Sequence, residues 1–362
     1  MRILIVISEL KYSGAAKIAS WLANNLAIHG NEVSLLTFID GDDYHDISVE
    51  RIRICMGISS RYFRTIRAIF DIRKIIKKNR YDIVISFLPL EGFISVLASL
   101  GTKAKVIVSE RSDPYHEKSF VANVSRFFFR FADGAVFQSE GAQKYFSEKL
   151  IRKSTIIENP VMVPKVKRVP YQERDNIIVS SARLQIHQKR QDILLRAFAI
   201  VVKEIPSVKL KLIGDGPDEN YLKKLSAELG INKQVIFAGK CKNVLEEISK
   251  AKVFAFSSEY EGMPNAVLEA LSMGVPVVTT DYYPGGARQL IEEKKRGFVI
   301  KRNNSEQLAD KLIAILNNFE VAQRMAENAI SVCNEQSDNE IYRKWITYIN
   351  CISNFELDYK ME

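Results

Sequence analysis

The sequence has few of the features that mark secreted, membrane-spanning or nucleic-acid-binding proteins. It has no apolar run approaching the roughly 18 residues that a spanning helix needs, and its first residues lead directly into a predicted strand. Its 362 residues include four cysteines, which are far apart and show no paired spacing: Cys55, Cys241, Cys333 and Cys351. We therefore expect reduced thiols, no secretion signal, no membrane span and no recognised nucleic-acid module.

Alternating strands and helices are what the sequence does contain. Residues 2–7 are aliphatic, as in a strand buried on both faces, and strand and helix patterns alternate from there to residue 158. Residues 159–172 contain three prolines and little periodicity, which predicts a linker, and the alternation then restarts. The pattern predicts an α/β protein with two doubly wound parallel sheets.

We expect the chain to be divided at the linker into domains 1–165 and 166–335. Residues from 305 onward read as helical, and the last stretch, 336–362, offers Trp345 for packing back on the body. We expect this final helix to cross back to the first domain.

Positive charge is concentrated in one segment. The net charge of the chain is +9, and residues 51–80 alone carry ten lysines and arginines against the single acid Asp71. Residues 118–131 add five phenylalanines and three cations. Basic and aromatic segments of this kind are typical of surfaces that contact anionic lipid headgroups. We expect peripheral membrane contact, with a solvated basic face as the alternative and nucleic acid disfavoured.

Two carboxylates bracket a predicted loop and helix in the second half. Residues 253–256 predict a buried strand, Pro264 is where the following helix would place its first residue, and residues 276–280 predict the next strand. Glu261 lies in the loop and Glu269 in the helix, among apolar neighbours that make an unpartnered carboxylate costly. A solvated pair of surface glutamates is the alternative. Because open α/β sheets bind ligands at the carboxyl ends of their strands, we expect a ligand site here.

Other candidate residues also follow predicted strands. Arg183 and Lys189 come after the first strand of the second half and suit a diphosphate, although a basic surface loop is the alternative. Gly239 ends another strand and leaves its backbone open to a flat base. In the first half, the loop around Gly14 weakly indicates a phosphate or substrate contact, and the charged residues 110–114 fit a capped turn as well as a ligand site.

A set of short motifs links these residues in one order. The motifs are Ser-Ala-Arg-Leu at 181–184, Lys-Arg-Gln-Asp at 189–192, Leu-Ile-Gly-Asp-Gly-Pro at 212–217, Val-Ile-Phe-Ala-Gly at 235–239, Glu-x7-Glu at 261–269 and Pro-Gly-Gly-Ala-Arg at 284–288. Through them the chain resembles the retaining glycosyltransferases of family four, including members that build bacterial surface polysaccharides and lipid-linked oligosaccharides. The resemblance implies the GT-B fold, in which two Rossmann-like domains face an interdomain cleft, the first for the acceptor and the second for the nucleotide sugar.

The resemblance also implies a role for each candidate residue. Glu261 would contact the donor sugar, and Arg183 and Lys189 would stabilise the leaving diphosphate, so these three are the implied catalytic residues. The other implied donor contacts are Glu269 at the ribose, Gly14, Gly239, Lys240, Met263, Pro264 and Asn265. Glu110 and Arg111 are the implied acceptor-side residues. The loop Ser13-Gly14-Ala15-Ala16 departs from the frequent Gly-Gly-Ala-Glu, so an acidic acceptor contact is absent there.

The expected activity is transfer of a hexose or N-acetylhexosamine from a UDP-sugar to a lipid-linked saccharide or polysaccharide, as in the synthesis of a capsule. No metal or other cofactor is expected, because the two cations would take that role and no clustered aspartate motif is present. We expect a cytoplasmic protein, peripheral at the inner face of the plasma membrane. The alternatives are an epimerase or phosphorylase of the same architecture, and an inactive carbohydrate-binding subunit.

Overall fold

The computed structural model describes residues 1–11, 13–39, 46–161, 164 and 166–358. The chain packs into two units, one formed by Met1–Pro160 with Asn339–Glu362 and the other by Val161–Asp338. We call them unit 1 and unit 2. Positions 162, 163 and 165 of the predicted linker and 359–362 of the predicted final helix lie outside the described residues.

Unit 1 is built on a parallel sheet with the order β3-β2-β1-β4-β5-β6-β7. Its strands are β1 (Arg2–Val6), β2 (Glu32–Thr37), β3 (Glu50–Arg53), β4 (Ile83–Phe87), β5 (Lys105–Ser109), β6 (Gly134–Phe137) and β7 (Ser154–Ile156). Its helices are α1 (Gly14–Ile28), α2 (Arg61–Asn79), α3 (Pro89–Ser99), α4 (Phe120–Phe128), α5 (Glu140–Gln143) and α6 (Glu148–Ile151), with a 3-10 turn at Phe129–Phe131. The strand order reverses between β1 and β4, which are buried because both sheet faces are covered by helices.

Unit 2 repeats this architecture with a parallel sheet of order β10-β9-β8-β11-β13-β15. Its strands are β8 (Asp175–Ser181), β9 (Lys209–Ile213), β10 (Val235–Gly239), β11 (Ala251–Phe256), β12 (Tyr260–Glu261), β13 (Val277–Thr280), β14 (Tyr283–Pro284) and β15 (Gly297–Ile300). Its helices are α7 (Ile186–Lys189), α8 (Gln191–Glu204), α9 (Glu219–Glu228), α10 (Val244–Ser249), α11 (Asn265–Ser272), α12 (Ser305–Asn317), α13 (Phe319–Ile330) and α14 (Val332–Glu335), with a 3-10 turn at Tyr171–Glu173 and a π-helical turn at Arg288–Glu292. Strands β12 and β14 form a separate two-stranded parallel ribbon.

The last helix, α15 (Asp338–Asp358), packs on unit 1. Trp345 is fully buried in the core that contains Ile3 and Ile5 of β1. The Tyr348 hydroxyl accepts a hydrogen bond from the backbone N–H of Ala135 at 2.9 Å. The helix therefore completes the core of unit 1 although it follows unit 2 in sequence.

The fold predicted from sequence is confirmed as two parallel Rossmann-like sheets covered by helices. Four strands were missed: β3 and β6 of unit 1, and the ribbon strands β12 and β14 of unit 2. The edge strand β3 is a short, charged Glu-Arg-Ile-Arg segment, and β6 is a four-residue run, Gly-Ala-Val-Phe, close behind the aromatic segment 118–131. Helix α11 begins at Asn265, and Pro264 is its N-cap, so the prediction that Pro264 is the first helical residue was wrong by one position. Among the described residues, no helix is both long and apolar enough to cross a bilayer.

Candidate active site

The two-stranded ribbon holds Glu261 at the carboxyl edge of the unit 2 sheet. Tyr260 and Glu261 follow β11 and pair with Tyr283 and Pro284, which follow β13. Glu261 is 8% exposed. Because the ribbon links the segments after two neighbouring strands, it places this carboxylate where parallel sheets bind their ligands.

Lys189 forms an ion pair with Glu261. Its Nζ donates a hydrogen bond to Oε1 of Glu261 and lies 5.5 Å from the ring centroid of Phe256. Both side chains are largely buried. The structure thus brings together two of the three predicted catalytic residues from segments 72 positions apart.

The loop after β11 is tied to helix α7. The Ser257 hydroxyl donates to the carbonyl of Lys189 at 2.8 Å, and the N–H of Glu259 donates to the carbonyl of Gln188 at 2.8 Å. These bonds fix the backbone on both sides of the ion pair. The orientation of Lys189 is therefore set by the fold as well as by the opposite charge.

Arg183, the third predicted catalytic residue, is exposed on the loop after β8. The Gly-Asp-Gly-Pro turn supports this loop: Leu184 N–H donates to the carbonyl of Asp215 at 2.8 Å. A Cβ at Gly216 would lie 2.2 Å from the carbonyl oxygen of Leu184, so only glycine allows this approach. The turn has a structural role, and the loop that it supports carries Arg183, which was predicted to bind the diphosphate.

Glu269 lies on α11, partly buried between the buried residues Leu268 and Ala270. Two arginines hold the end of this helix. Arg168 Nε donates to the carbonyl of Ser272 at 2.7 Å, and the Arg174 guanidinium donates to Met273 and Gly274 at 3.1 and 2.9 Å. Burial lowers the pKa of Arg174 to about 10. Cations at a helix C-terminus satisfy its free carbonyl groups, so these arginines fix the helix that carries Glu269.

The remaining predicted donor contacts of unit 2 surround these elements. Pro264 is buried at the start of α11, and Met263 and Asn265 beside it are partly buried. Gly239 ends β10 with φ of +63°, and a Cβ there would have no atom within 4 Å. Lys240 is exposed and pairs with Asp215 at 3.1 Å. The space beside Gly239 is what a flat base would need, and the contact itself stays a prediction.

The predicted residues of unit 1 differ in accessibility. Gly14 is exposed and is the first residue of α1, directly after the N-cap Ser13 in sequence. Glu110 is buried and pairs with Arg126 at 2.8 Å. Arg111 is buried against the rings of Phe87 and Trp345, and burial lowers its pKa to about 9. Both charged groups are engaged inside the unit, and their predicted contacts with an acceptor stay predictions.

Sequence reasoning missed a buried carboxyl group at the point where the strand order of unit 1 reverses. Glu91, in the first turn of α3, is 3% exposed and accepts a hydrogen bond from the N–H of Ser8, the second residue after β1, at 3.1 Å. Burial raises its pKa to about 7. The sequence signal for this buried acid was its position two residues after Pro89, the first residue of a helix that follows a buried strand.

Two family models match adjacent parts of the chain. The model described as Glycosyltransferase Family 4 matches residues 12–163, and the model described as Glycosyl transferases group 1 matches residues 164–332. The chain is also 28% identical over 370 residues to the GalNAc-alpha-(1->4)-GalNAc-alpha-(1->3)-diNAcBac-PP-undecaprenol alpha-1,4-N-acetyl-D-galactosaminyltransferase of Campylobacter jejuni, covering 98% of this chain and 99% of that protein.

Solved structures show the same fold. Anabaena HepE in complex with UDP superposes with a TM-score of 0.82 at 20% identity, covering 97% of this chain and 100% of HepE. Sucrose-phosphate synthase of Thermosynechococcus elongatus superposes with a TM-score of 0.83 at 17% identity, covering 97% of this chain and 99% of that one. At these identities the likeness concerns the fold alone.

Proposed function

Because the chain belongs to the glycosyltransferases of family four, which have the GT-B fold, we propose that it transfers a hexose or N-acetylhexosamine from a UDP-sugar with retention of the anomeric configuration. The observation that carries the proposal is the pairing of Lys189 with Glu261 at the carboxyl edge of the unit 2 sheet. A leaving nucleoside diphosphate and a reacting sugar need a cation and a hydrogen-bonding carboxylate close to each other. Retention is proposed from family membership.

The chemistry explains why cations are needed. When the bond between the sugar and the diphosphate breaks, negative charge develops on the β-phosphate oxygens. A cation fixed at that position stabilises the transition state more than the ground state. Lys189 supplies a point charge held by the protein, and Arg183 on the neighbouring loop supplies a fork of donors. We propose that these two side chains act without a metal ion.

Nucleotide recognition is proposed for the residues around this pair. Glu269 would accept hydrogen bonds from the ribose hydroxyls, and the N–H groups at the start of α11, near Asn265, would meet anionic oxygens. The open backbone at Gly239 would accommodate the base. UDP is proposed as the nucleotide part of the sugar donor, because HepE, which has a similar fold, was solved with UDP.

A lipid-linked saccharide or polysaccharide is the proposed acceptor, in the synthesis of a cell-surface glycan. The Campylobacter relative is named for a substrate carried on undecaprenyl diphosphate. An enzyme that acts on such a substrate works beside a membrane. We therefore propose that unit 1 binds the surface of an anionic bilayer.

Helices α2 and α4 carry the residues that support membrane binding. On α4, Phe120 is 82% exposed and Phe127 is 51% exposed, while on α2 Phe63 and Phe70 are 66% and 65% exposed. Helix α3 packs against both. Most of the basic residues of segment 51–80 lie on α2, and Arg130 covers the ring of Phe127 at 3.7 Å. Exposed aromatic rings beside cations match the interface of an anionic bilayer.

The proposed donor site is tested by replacing Glu269. We expect Glu269→Ala to release UDP from a UDP-sugar much more slowly than the parent enzyme in the presence of a lipid-linked acceptor. Glu228→Ala, which removes an exposed glutamate from α9, is the matched control and is expected to retain the parent rate. A Glu269→Ala enzyme as active as the parent would contradict the proposed donor site.

A further inference from the structure

The hydroxyl group of Tyr282 is buried in unit 2 without a hydrogen-bond partner among the described residues. The residue is 1% exposed, and its ring packs edge-on against Phe256 with centroids 6.2 Å apart. On another side it meets the backbone at Gly285, where a Cβ would lie 2.7 Å from the ring. The ring is thus held tightly while its polar end makes no bond.

An unpaired buried hydroxyl is unfavourable for the folded protein. It loses its hydrogen bonds to water and gains none in return. Phenylalanine would fill the same space without this loss. The presence of tyrosine therefore calls for a state of the protein in which the hydroxyl is bonded.

The candidate partner of the Tyr282 hydroxyl in this bonded state is the carboxylate of Glu261. Tyr282 directly precedes β14, and β14 pairs with β12, which carries Glu261. Burial raises the pKa of the Tyr282 hydroxyl, and the negative charges of Glu261 and Asp281 raise it further. In the structure, the Glu261 carboxylate is bonded to Lys189.

Donor binding would change the partners of Glu261. The proposed function requires Lys189 to bind the diphosphate, and a cation that turns toward a diphosphate leaves its earlier carboxylate partner short of donors. A carboxylate as buried as Glu261 is then strongly destabilised unless another donor takes over. The Tyr282 hydroxyl is a donor on the segment that leads into β14, the strand paired with that of Glu261, and the Glu261 charge raises its pKa.

We propose that Tyr282 is a positioning residue that donates a hydrogen bond to Glu261 when a nucleoside diphosphate draws Lys189 away. This inference rests on the proposed function, because it takes the diphosphate to be the ligand of Lys189. The exchange keeps Glu261 hydrogen-bonded and oriented toward the donor sugar. In the structure that hydroxyl has no partner among the described residues.

The test is UDP binding measured by calorimetry on the full chain, with Tyr282→Phe as the variant. We expect Tyr282→Phe to bind UDP about 10- to 100-fold more weakly, the range for loss of a hydrogen bond to a charged group. Its melting temperature is expected to equal or exceed that of the parent, because an unpaired hydroxyl is removed. Tyr171→Phe is the control, because Tyr171 is also a buried tyrosine of unit 2 and its ring lies beside Phe319. This substitution is expected to leave UDP affinity unchanged.

A double-mutant cycle separates this role from a purely structural one. In a Glu261→Ala background, Tyr282→Phe is expected to have no further effect on UDP affinity, because the carboxylate that it would serve is gone. Equal affinity of the parent and Tyr282→Phe, or the same loss in both backgrounds, would overturn the inference and leave the proposed function intact. If the parent itself does not bind UDP, the proposed donor is wrong and the inference fails with it.

Discussion

At the scale of single residues, Lys189 has two partners to satisfy. In the structure it neutralises Glu261, and in the proposed reaction it neutralises a leaving diphosphate. Removing its charge therefore has a structural effect and a catalytic effect, which a second substitution can separate.

We predict that Lys189→Met lowers kcat by about 10²–10³-fold, the usual effect of losing one electrostatic contact to a transition state. It also leaves Glu261 buried without its partner, which lowers stability by up to about 3 kcal/mol. Lys189→Met/Glu261→Gln is expected to regain the stability but not the activity. Lys233→Met, at an exposed lysine, is the control for steady-state kinetics and urea denaturation. Full activity in Lys189→Met would show that another group carries the charge.

Glu91 makes the stability of unit 1 depend on pH. Burial raises its pKa from 4.5 to about 7, so between these values the folded protein binds more protons than the unfolded chain. The contribution of Glu91 to the free energy of unfolding is fully present below about pH 4.5 and is lost as the pH rises through about 7. The loss is on the order of 3 kcal/mol for a shift of this size.

We predict that Glu91→Gln removes this loss, so that the variant exceeds the parent in stability at pH 8 but not at pH 4.5. Urea denaturation followed by tryptophan fluorescence measures the stability of unit 1, because both tryptophans, Trp21 and Trp345, lie in the core of that unit. Glu228→Gln, at an exposed glutamate, provides the control. A pH dependence unchanged by Glu91→Gln would mean that Glu91 is ionised at neutral pH without penalty.

At the scale of elements, short segments position the candidate site. The ribbon of β12 and β14 carries Glu261, the Gly-Asp-Gly-Pro turn supports the loop of Arg183, and two arginines hold the end of α11. None of these supports is a long helix or a central strand. The site is therefore sensitive to substitutions in turns and caps that leave both sheets intact.

Helix α4 gives a prediction of its own. The double variant Phe120→Ser/Phe127→Ser removes two exposed rings. We expect it to lose most of the parent's binding to vesicles of phosphatidylglycerol and phosphatidylcholine in a sedimentation assay, because the apolar contact with the interface is lost. Parent binding is expected to weaken at high salt and on phosphatidylcholine alone.

Ile28→Ser is the matched control, since Ile28 is 75% exposed at the end of α1 in the same unit. Equal retention of the double variant and this control would assign vesicle binding to another surface. A parent protein that does not sediment with anionic vesicles at low salt would contradict membrane binding by unit 1.

At the scale of the whole molecule, regular elements were easier to predict than contacts. The strands predicted at 2–7, 253–256 and 276–280 are observed as β1, β11 and β13 within two residues of those bounds, because a strand covered on both faces is a short aliphatic run. Glu261 and Lys189 could be expected to share a site, since both follow strands of one parallel sheet. Their direct pairing depends on the ribbon of β12 and β14, which has no periodic signal.

The residues that sequence reasoning missed are defined by packing. Glu91 and Tyr282 differ from other acids and tyrosines of the chain only in what surrounds them. Arg111 shows the converse: its charge in a strand-end loop suggested a ligand contact, and the structure buries it against Phe87 and Trp345, the second of which comes from α15. Contacts between residues so far apart in sequence leave no local pattern.

The most direct test of the central claim is a donor screen with mass spectrometry of the released nucleotide and of the product. The purified protein is incubated with UDP-, GDP- and ADP-sugars and an undecaprenyl diphosphate-linked saccharide, with and without EDTA. We predict release of UDP and addition of one hexose or N-acetylhexosamine to the acceptor, at a rate that EDTA does not change and that Lys189→Met reduces. Transfer from another nucleotide sugar only, or loss of all transfer in EDTA, would contradict the account of a metal-independent, UDP-dependent enzyme.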